Sequence, residues 1–217
     1  MNNTKTEQTT IWTSEFGSDY TERNRFNNDA KEFNKVYRDR YGLTRDDICR
    51  DWLADLPRNS RILEVGTNLG HQLQSLERVG FSNLYGVEVQ SNVVQEVRKT
   101  KPQFEVLLST AQDLPFKDNF FDLVFTNNVL IHISPQDIDK VVSEMLRVCK
   151  KWIWGFEYFA PEYTEVSYRG NSDLLWKTDF SSLFLKQSNK LVTVRQEKFN
   201  CKDEPGNIDK SYLLRKT

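Results

Sequence analysis

The sequence predicts a doubly wound α/β domain, in which helices cover both faces of a mainly parallel sheet of seven strands. Two observations carry this prediction. From residue 61 onward, short apolar runs alternate with helical stretches, which is the pattern of a parallel sheet with crossover helices. The length of 217 residues suits one sizeable domain with an appendage. We therefore divide the chain into an N-terminal helical cap over 1–44 and a main domain over 45–217.

The composition narrows the classes of function. Lys and Arg number 30 and Asp and Glu 31, so the net charge of -1 gives no general attraction to nucleic acid or to an anionic membrane. No stretch approaches the roughly 20 apolar residues that cross a bilayer, and the N-terminus lacks the pattern of a secretory signal. We therefore expect a soluble, cytoplasmic protein without nucleic-acid or membrane partners. Its oligomeric state stays open.

Three well-separated cysteines and two histidines favour neither a disulfide framework nor a metal site. The polar first 50 residues carry aromatic side chains at spacings of four and seven, which predict short amphipathic helices. These aromatic residues are Trp12, Phe16, Tyr20, Phe26, Phe33 and Tyr37. A further helix is predicted from Thr44 to Leu56, where Pro57 ends it.

The remaining elements follow from the apolar runs. Strands are predicted over 61–65, 84–89, 104–108, 121–126 and 151–159. Helices are predicted over 69–79, 91–99, 134–149 and 174–185, with Ser91 as an N-cap and Pro135 in a first helical turn. Two last strands, over 191–199 and 210–215, are separated by a Pro-Gly turn and are expected to pair antiparallel at one sheet edge.

Ligands of open α/β sheets bind at the carboxyl ends of the strands, so the residues after each strand are the candidate site. The first strand leads into a turn between Gly66 and Gly70, where the backbone can approach a ligand closely. Asn68 and His71 occupy positions where a dinucleotide-binding fingerprint needs glycine, and no P-loop sequence follows. An ordinary turn remains the alternative.

Glu88 follows the second strand, 22 residues after Gly66, where a carboxylate can bind a ribose diol. A solvated glutamate at a strand end is the alternative. The third strand is followed by Ser109 and the segment Ala-Gln-Asp-Leu-Pro-Phe over 111–116. The fourth strand, which contains Phe-Asp-Leu-Val-Phe, is followed by a loop that reaches His132.

In order and spacing, these four segments resemble the class I S-adenosylmethionine-dependent methyltransferases over about residues 45–160. Residues 12–17, 20–24, 157–159 and 168–170 further resemble a group labelled pseudaminic-acid-biosynthesis-associated methylases. The resemblance implies a Rossmann-like methyltransferase sheet and S-adenosyl-L-methionine as the cofactor. It departs from the family at Asn68, where a glycine is frequent; asparagine tolerates unusual backbone angles, so we expect the turn to be kept.

The resemblance also implies roles for individual residues. Those expected to bind the cofactor are Glu64, Gly66, Thr67, Asn68 and Gly70 around its methionine part, Glu88 at the ribose, Val89, Ala111 and Gln112 at the adenine, and Asn127 near the sulfonium. Trp12, Phe16 and Tyr20 are expected to form a lid over the cofactor, where an aromatic face favours a cation. Ordinary packing of an N-terminal helix is the alternative.

His132 is the candidate general base, because it follows the fourth strand and titrates near neutral pH. A structural histidine is the alternative. The residues expected to bind the acceptor are Glu157, Tyr158, Tyr168, Arg169 and Lys177. The Glu157 carboxylate could accept hydroxyl groups of the acceptor, and the positive charges of Arg169 and Lys177 suit a phosphate or carboxylate. For Glu157 the alternative is an ion pair with Arg169 or Lys177, and for the cationic residues it is a solvated surface.

We therefore expect a methyltransferase that acts on a small polar acceptor, favouring a hydroxyl of a sugar, sugar nucleotide or related surface-glycan precursor over an amine. The alternatives are a methyltransferase for another small metabolite and a non-catalytic module that binds a nucleotide or cofactor.

Overall fold

The computed structural model describes residues 6–26 and 29–217. The helices are α1 (Glu7–Trp12), α2 (Glu15–Arg23), α3 (Ala30–Tyr41), α4 (Arg45–Trp52), α5 (His71–Arg78), α6 (Ser91–Thr100), α7 (Ile138–Val148) and α8 (Phe180–Gln187). The strands are β1 (Arg61–Val65), β2 (Asn83–Glu88), β3 (Glu105–Leu108), β4 (Phe121–Asn127), β5 (Cys149–Tyr158), β6 (Thr164–Glu165), β7 (Trp176–Lys177), β8 (Leu191–Asn200) and β9 (Ile208–Lys216).

Seven of these strands form one sheet in the order β3-β2-β1-β4-β5-β9-β8. Strands β1 to β5 are parallel, whereas β9 runs antiparallel to both β5 and β8. The chain moves outward from β1 to β3 and then returns to the other side of β1 with β4. This reversal of strand order leaves a crevice at the carboxyl ends of β1 and β4. The predicted sheet of seven strands with an antiparallel edge pair is confirmed.

Each face of the sheet has its own hydrophobic core. On one face, Phe33 of α3, Ile48 of α4 and Leu73 of α5 pack with Phe125 and Phe156 of the sheet. The opposite core contains buried side chains of α7 and α8, including Val141 and Phe184. Because α3 shares a core with the sheet, the cap and the main domain are packed together. No helix within the described residues is long and apolar enough to cross a bilayer.

Local signals set several of the helix ends. Thr44 is the N-cap of α4, and its hydroxyl accepts the Asp47 N–H while the Asp47 carboxylate accepts the Thr44 N–H. This reciprocal capping box is what the Thr-x-x-acid spacing predicts. Helix α4 ends at Trp52, before the predicted limit at Leu56. Gln90, and not Ser91, is the N-cap of α6.

Two predicted helices differ more from the structure. The helix predicted over 134–149 begins at Ile138, because Ser134 and Pro135 form a turn in which the Ile138 N–H reaches the Ser134 carbonyl. The helix predicted over 174–185 begins at Phe180. Within the predicted stretch, Trp176 and Lys177 instead form β7, which pairs antiparallel with β6. The three cysteines carry free, buried thiols.

Candidate functional site

Two adjoining cavities lie at the carboxyl ends of the strands. The β2 cavity, of about 140 Å³, is lined by residues after β2 and β3 and by residues of α1. The α3 cavity, of about 450 Å³, is lined by α2, α3 and the turns after β1 and β4. The residues that line both are Tyr20, Gly66, Asn68, Asn127, Asn128 and His132. The two cavities therefore form one continuous site.

The turn after β1 has the tight, left-handed backbone that the sequence predicts. Gly66 has φ +76° and Gly70 has φ +75°, both of which favour glycine. A Cβ atom on Gly66 would lie 2.8 Å from the Val129 side chain, so a side chain at this position would clash with Val129. Asn68 is left-handed as well, at φ +43°, which supports the expectation that asparagine preserves the turn.

Glu88 closes this turn from the end of β2. Its carboxylate accepts the backbone N–H groups of Asn68 at 2.9 Å, Val89 at 2.8 Å and Gln90 at 3.0 Å. Burial raises the pKa of Glu88, while these three amides act in the opposite direction. Since Glu88 lines the β2 cavity, the carboxylate that fixes these loops also lies at the cavity wall.

Glu64 and Thr67 lie on the α3 cavity. The Thr67 hydroxyl donates a 2.6 Å hydrogen bond to the Glu64 carboxylate. Burial raises the pKa of Glu64 to about 8, against the effect of this hydrogen bond and of the charge on Arg45. With this pKa the carboxyl group is largely neutral at pH 7, and an ammonium group bound beside it would favour the charged form.

Asn127 is oriented by α3. The Tyr37 hydroxyl donates to the Asn127 side-chain carbonyl at 3.1 Å and accepts a hydrogen bond of 2.8 Å from the Gln72 amide. With its carbonyl engaged, Asn127 has its side-chain N–H groups left to donate to a ligand.

His132 lies at the junction of the two cavities, in a short 3-10 turn over Leu130–His132. Its Nδ1 atom is 2.7 Å from the Leu174 carbonyl, which can only accept, so Nδ1 carries the hydrogen and Nε2 is the ring's acceptor. Burial lowers the pKa of His132 to about 4. The ring is therefore neutral at physiological pH, with one nitrogen able to take a proton.

The aromatic side chains of the predicted lid lie beside this junction. The Trp12 ring lies 4.7 Å from the His132 ring and 5.2 Å from that of Tyr20, in edge-to-face geometry. Trp12 and Tyr20 line the β2 cavity, whereas Phe16 packs against Trp12 and Tyr168 and lines neither cavity. Burial raises the pKa of Tyr20, so its hydroxyl stays protonated.

Of the residues expected to bind an acceptor, Tyr158, Tyr168 and Arg169 line the α3 cavity. Arg23 of α2 lines it too. Both Arg23 and Arg169 are exposed. Among the described residues neither guanidinium has an ion-pair partner.

The structure does not bring three predicted residues to either cavity. Glu157 is 1% exposed and accepts the Val129 N–H at 3.0 Å and the Ile131 N–H at 3.4 Å, so it supports the loop after β4 from behind. It therefore neither pairs with Arg169 or Lys177 nor reaches the cavity. Lys177 hydrogen-bonds Asn207 and lies over the Tyr158 ring. Gly70 contributes the turn backbone only.

Sequence reasoning missed several residues of this site. Thr21 of α2 accepts hydrogen bonds from the side-chain amides of Asn68 at 3.0 Å and Gln90 at 3.2 Å. Gln90 directly follows the predicted Val89, which was a usable signal. Thr21 had no signal, because its partners lie 47 and 69 residues away.

Comparisons with known proteins agree with this geometry. Residues 63–152 match the family model described as a methyltransferase domain. The chain is 24% identical over 102 residues to the phosphoethanolamine N-methyltransferase of Plasmodium falciparum, which covers 46% of this chain and 37% of that protein.

The chain is also 31% identical over 103 residues to a glycine/sarcosine/dimethylglycine N-methyltransferase of Actinopolyspora halophila, covering 45% of this chain and 18% of that protein. The chain thus spans less than half the length of the curated relatives it matches.

Solved structures share the fold over the whole chain. The magnesium protoporphyrin IX methyltransferase of Synechocystis PCC 6803 with bound S-adenosylmethionine has a TM-score of 0.69 at 16% identity and covers 100% of both chains. The [4+2]-cyclase SpnF has a TM-score of 0.66 at 15% identity and covers 94% of this chain and 96% of that one. At such identities the likeness shows a class I methyltransferase fold and no particular activity.

The cavity residues fit S-adenosylmethionine on chemical grounds. Trp12 Nε1, Gln90 Oε1 and Asn128 Oδ1 are buried polar atoms of the β2 cavity, and none has a hydrogen-bond partner within residues 6–26 and 29–217. Buried donors and acceptors normally have partners, so these atoms point to a polar ligand. An adenosyl group supplies acceptors and donors of this kind, and the tyrosine rings nearby favour a sulfonium cation.

Proposed function

We propose that this protein is an S-adenosylmethionine-dependent methyltransferase that acts on a small polar acceptor carrying an anionic group. One observation carries the proposal: the candidate base His132 lies where the β2 cavity, which suits an adenosyl group, meets the larger α3 cavity. A donor and an acceptor held on either side of this junction would be brought together at one point.

The protein's own residues would hold the cofactor along this site. Glu88 would bind the ribose hydroxyls, with Val89, Ala111 and Gln112 beside the adenine. Glu64, Thr67 and the amides of the turn after β1 would surround the amino-acid end. When bound, S-adenosylmethionine supplies a methyl group activated by its sulfonium sulfur, so the protein has mainly to align the two reactants and exclude water.

Proton removal is assigned to His132. Its Nδ1–H bond to the Leu174 carbonyl fixes the tautomer in which Nε2 accepts a proton. The low pKa, about 4, keeps that nitrogen free over the whole neutral range. Trp12 packs against the ring and excludes water from this side once the lid is in place.

The acceptor would occupy the α3 cavity. Arg23 and Arg169 supply unpaired positive charge there, and Tyr158 and Tyr168 supply hydroxyl groups. Guanidinium groups bind phosphates and carboxylates well. The curated relatives are named for phosphoethanolamine and for glycine, which carry a phosphate and a carboxylate respectively.

Two classes of acceptor follow. A hydroxyl of a sugar or sugar nucleotide is the finer expectation from the sequence, along with membership of the pseudaminic-acid-associated group, and it has no support from the relatives. A small anionic amine is favoured by the names of those relatives and by the aromatic rings of the α3 cavity, which attract ammonium groups.

Calorimetric titration with S-adenosylhomocysteine, with NAD as the negative control, tests the cofactor. A mass-spectrometric screen then tests the reaction with two panels of acceptors, sugar nucleotides and anionic amines such as phosphoethanolamine and glycine. We expect products heavier by one CH2 group, formed only with S-adenosylmethionine. Cofactor binding without any methylated product from a broad metabolite extract would favour a non-catalytic module.

A further inference from the structure

Arg45 is the most deeply buried charged side chain near the site, and the proposed function gives it no role. It is the first residue of α4 and is 0% exposed. Its guanidinium lies 4.4 Å from the centroid of the Trp154 ring and 5.6 Å from the rings of Tyr37 and Phe156. Three aromatic rings thus surround a positive charge within the protein core.

This guanidinium lacks the partners that buried arginines normally have. Its Nε, Nη1 and Nη2 atoms have no hydrogen-bond acceptor anywhere in the described chain, residues 6–26 and 29–217. Arginine keeps its charge in proteins, and an unpaired charge in the core is costly. Stacking on aromatic rings offsets part of that cost. An apolar side chain of similar length could pack here without the cost of burying a charge. The presence of a charge at this position therefore indicates a functional role.

The charge of Arg45 influences the protonation of the Glu64 carboxyl group on β1. Arg45 lowers the pKa of Glu64, against the burial that raises it to about 8. The other titratable groups that influence or are influenced by Glu64 are Glu88, Lys101 and Cys49. Glu64 lines the α3 cavity whereas Arg45 does not, so Arg45 would act on a ligand there only through its neighbours.

A second connection runs through Tyr37. The ring of Tyr37 is one of the three around Arg45, and its hydroxyl holds the Asn127 side chain in place. Glu64 is one of the residues expected around the methionine part of the cofactor, and Asn127 is expected beside the methionine moiety and the sulfonium. Both are therefore linked to Arg45, one through charge and the other through packing.

We infer that Arg45 is a positioning residue, which holds the Tyr37–Asn127 pair in place and favours the charged form of the Glu64 carboxylate, so that both bind the methionine end of the cofactor. The inference rests on the proposed function, because it assigns Arg45 to the same cofactor. It predicts that replacing Arg45 lowers the affinity for ligands that carry the amino-acid end with its ammonium group. The contribution of the adenosyl end to the affinity should not change.

Two ligands test the amino-acid end and the adenosyl end of the cofactor independently. S-adenosylhomocysteine carries both, whereas 5′-methylthioadenosine has the adenosyl thioether without the amino acid. Their affinities are measured by calorimetry for the wild type, R45M, R45K and E64Q. R58M is the matched control, because Arg58 also stacks on an aromatic ring, at 4.5 Å from the centroid of Phe81, and lines neither cavity.

We expect R45M to lower the affinity for S-adenosylhomocysteine about tenfold or more and the affinity for methylthioadenosine by less than about twofold. R45K, which retains the charge, should recover most of the loss, and E64Q should show the same selectivity. Adding R45M to E64Q should cost little further, because the two residues act as a unit. R58M should bind both ligands as the wild type does.

Equal weakening of both ligands in R45M, or unchanged binding of S-adenosylhomocysteine, overturns the inference while leaving the proposed function intact. If the wild type binds neither ligand, the proposed function fails and the inference fails with it. Melting temperatures add a second readout, since replacing an unpaired buried charge by methionine should not lower stability. If R45M does not fold, R45K and E64Q decide: a loss of both ligands to the same extent in E64Q contradicts the inference.

Discussion

The side-chain amide of Asn68 donates a 3.0 Å hydrogen bond to the hydroxyl of Thr21. Asn68 lies in the left-handed turn after β1, and Thr21 lies on α2, the helix above it. Gln90, which follows β2, donates to the same hydroxyl at 3.2 Å. One hydroxyl of the cap therefore joins both loops of the proposed cofactor site.

We expect Thr21→Val to loosen this connection. Valine has nearly the same shape without the hydroxyl, so the amides of Asn68 and Gln90 lose their acceptor. A buried donor left unpaired costs about 1–3 kcal/mol, and if this cost falls on the closed state that holds the ligand, S-adenosylhomocysteine should dissociate roughly 5- to 150-fold faster. Stopped-flow displacement measures this rate. Thr10→Val is the matched control, since its exposed hydroxyl bonds only within α1. An unchanged dissociation rate in Thr21→Val would show that the hydrogen bonds to the Thr21 hydroxyl do not hold the ligand in the site.

His132→Ala should lower turnover about 100-fold or more with little change in cofactor affinity, because it removes the proposed base and leaves the adenosyl contacts. Steady-state kinetics and calorimetry measure the two effects separately. A drop in turnover of less than about threefold removes His132 from the mechanism.

The pH dependence gives an independent test of His132. A base must be deprotonated to act, and the His132 pKa of about 4 means that protonation sets in only near that pH. The kcat/KM of the wild type should therefore not decline at neutral pH and should fall as the pH drops toward about 4. A half-maximal point near the ordinary histidine value of 6.5 would show that the ring is not buried and neutral as described.

Glu88→Gln should lower the affinities for S-adenosylhomocysteine and methylthioadenosine to a similar degree, because both ligands contain the ribose. In this respect it should differ from R45M. An amide presents an N–H group toward backbone N–H donors in place of an acceptor. The lost charge-assisted bonds correspond to about 1.5–3 kcal/mol of binding or folding free energy. Calorimetry with both ligands measures the loss. Glu105→Gln, at an exposed position of β3, is the control, and selectivity between the ligands would contradict the ribose assignment.

The sheet could be predicted because its strands are continuous apolar runs. Residues 62–65 of β1 and 123–126 of β4 are buried on both sides, and such runs have few other interpretations. Helix ends were harder to predict. Leu174, Leu175 and Trp176 form an apolar run as well, and periodicity alone did not distinguish a helix start from the short β7.

The site was predictable where it follows strand ends and was not predictable across the cap. Glu88 and Asn127 are found from their position in the chain. Thr21 and Arg45 act through contacts with residues distant in sequence, which no local pattern encodes. The expectation for Glu157 ignored strand geometry: neighbouring residues of a strand face opposite sides, so with Tyr158 in the α3 cavity Glu157 faces away from it.

Glu157→Gln tests this last point through the pH dependence of stability. Burial raises the pKa of Glu157 to about 8 in the folded protein, above the ordinary value of 4.5. Folding therefore favours the protonated form, so the stabilising contribution of this group is complete below about pH 4.5 and is lost as the pH rises through about 8. Glutamine stays neutral and keeps an oxygen to accept the amides of Val129 and Ile131. Calorimetric melting from pH 5 to 9 should show a flatter profile for E157Q, with a Tm above that of the wild type by about 3 °C at the alkaline end.

Glu162→Gln is the control for this experiment, because that carboxylate is exposed, and the melting profile of this variant should follow that of the wild type. The KM for the acceptor should be unchanged in E157Q, since the side chain supports the loop after β4 from behind the cavity wall. If instead the KM rises while the melting profile matches that of the wild type, Glu157 reaches the acceptor after all and the loop after β4 must open during turnover.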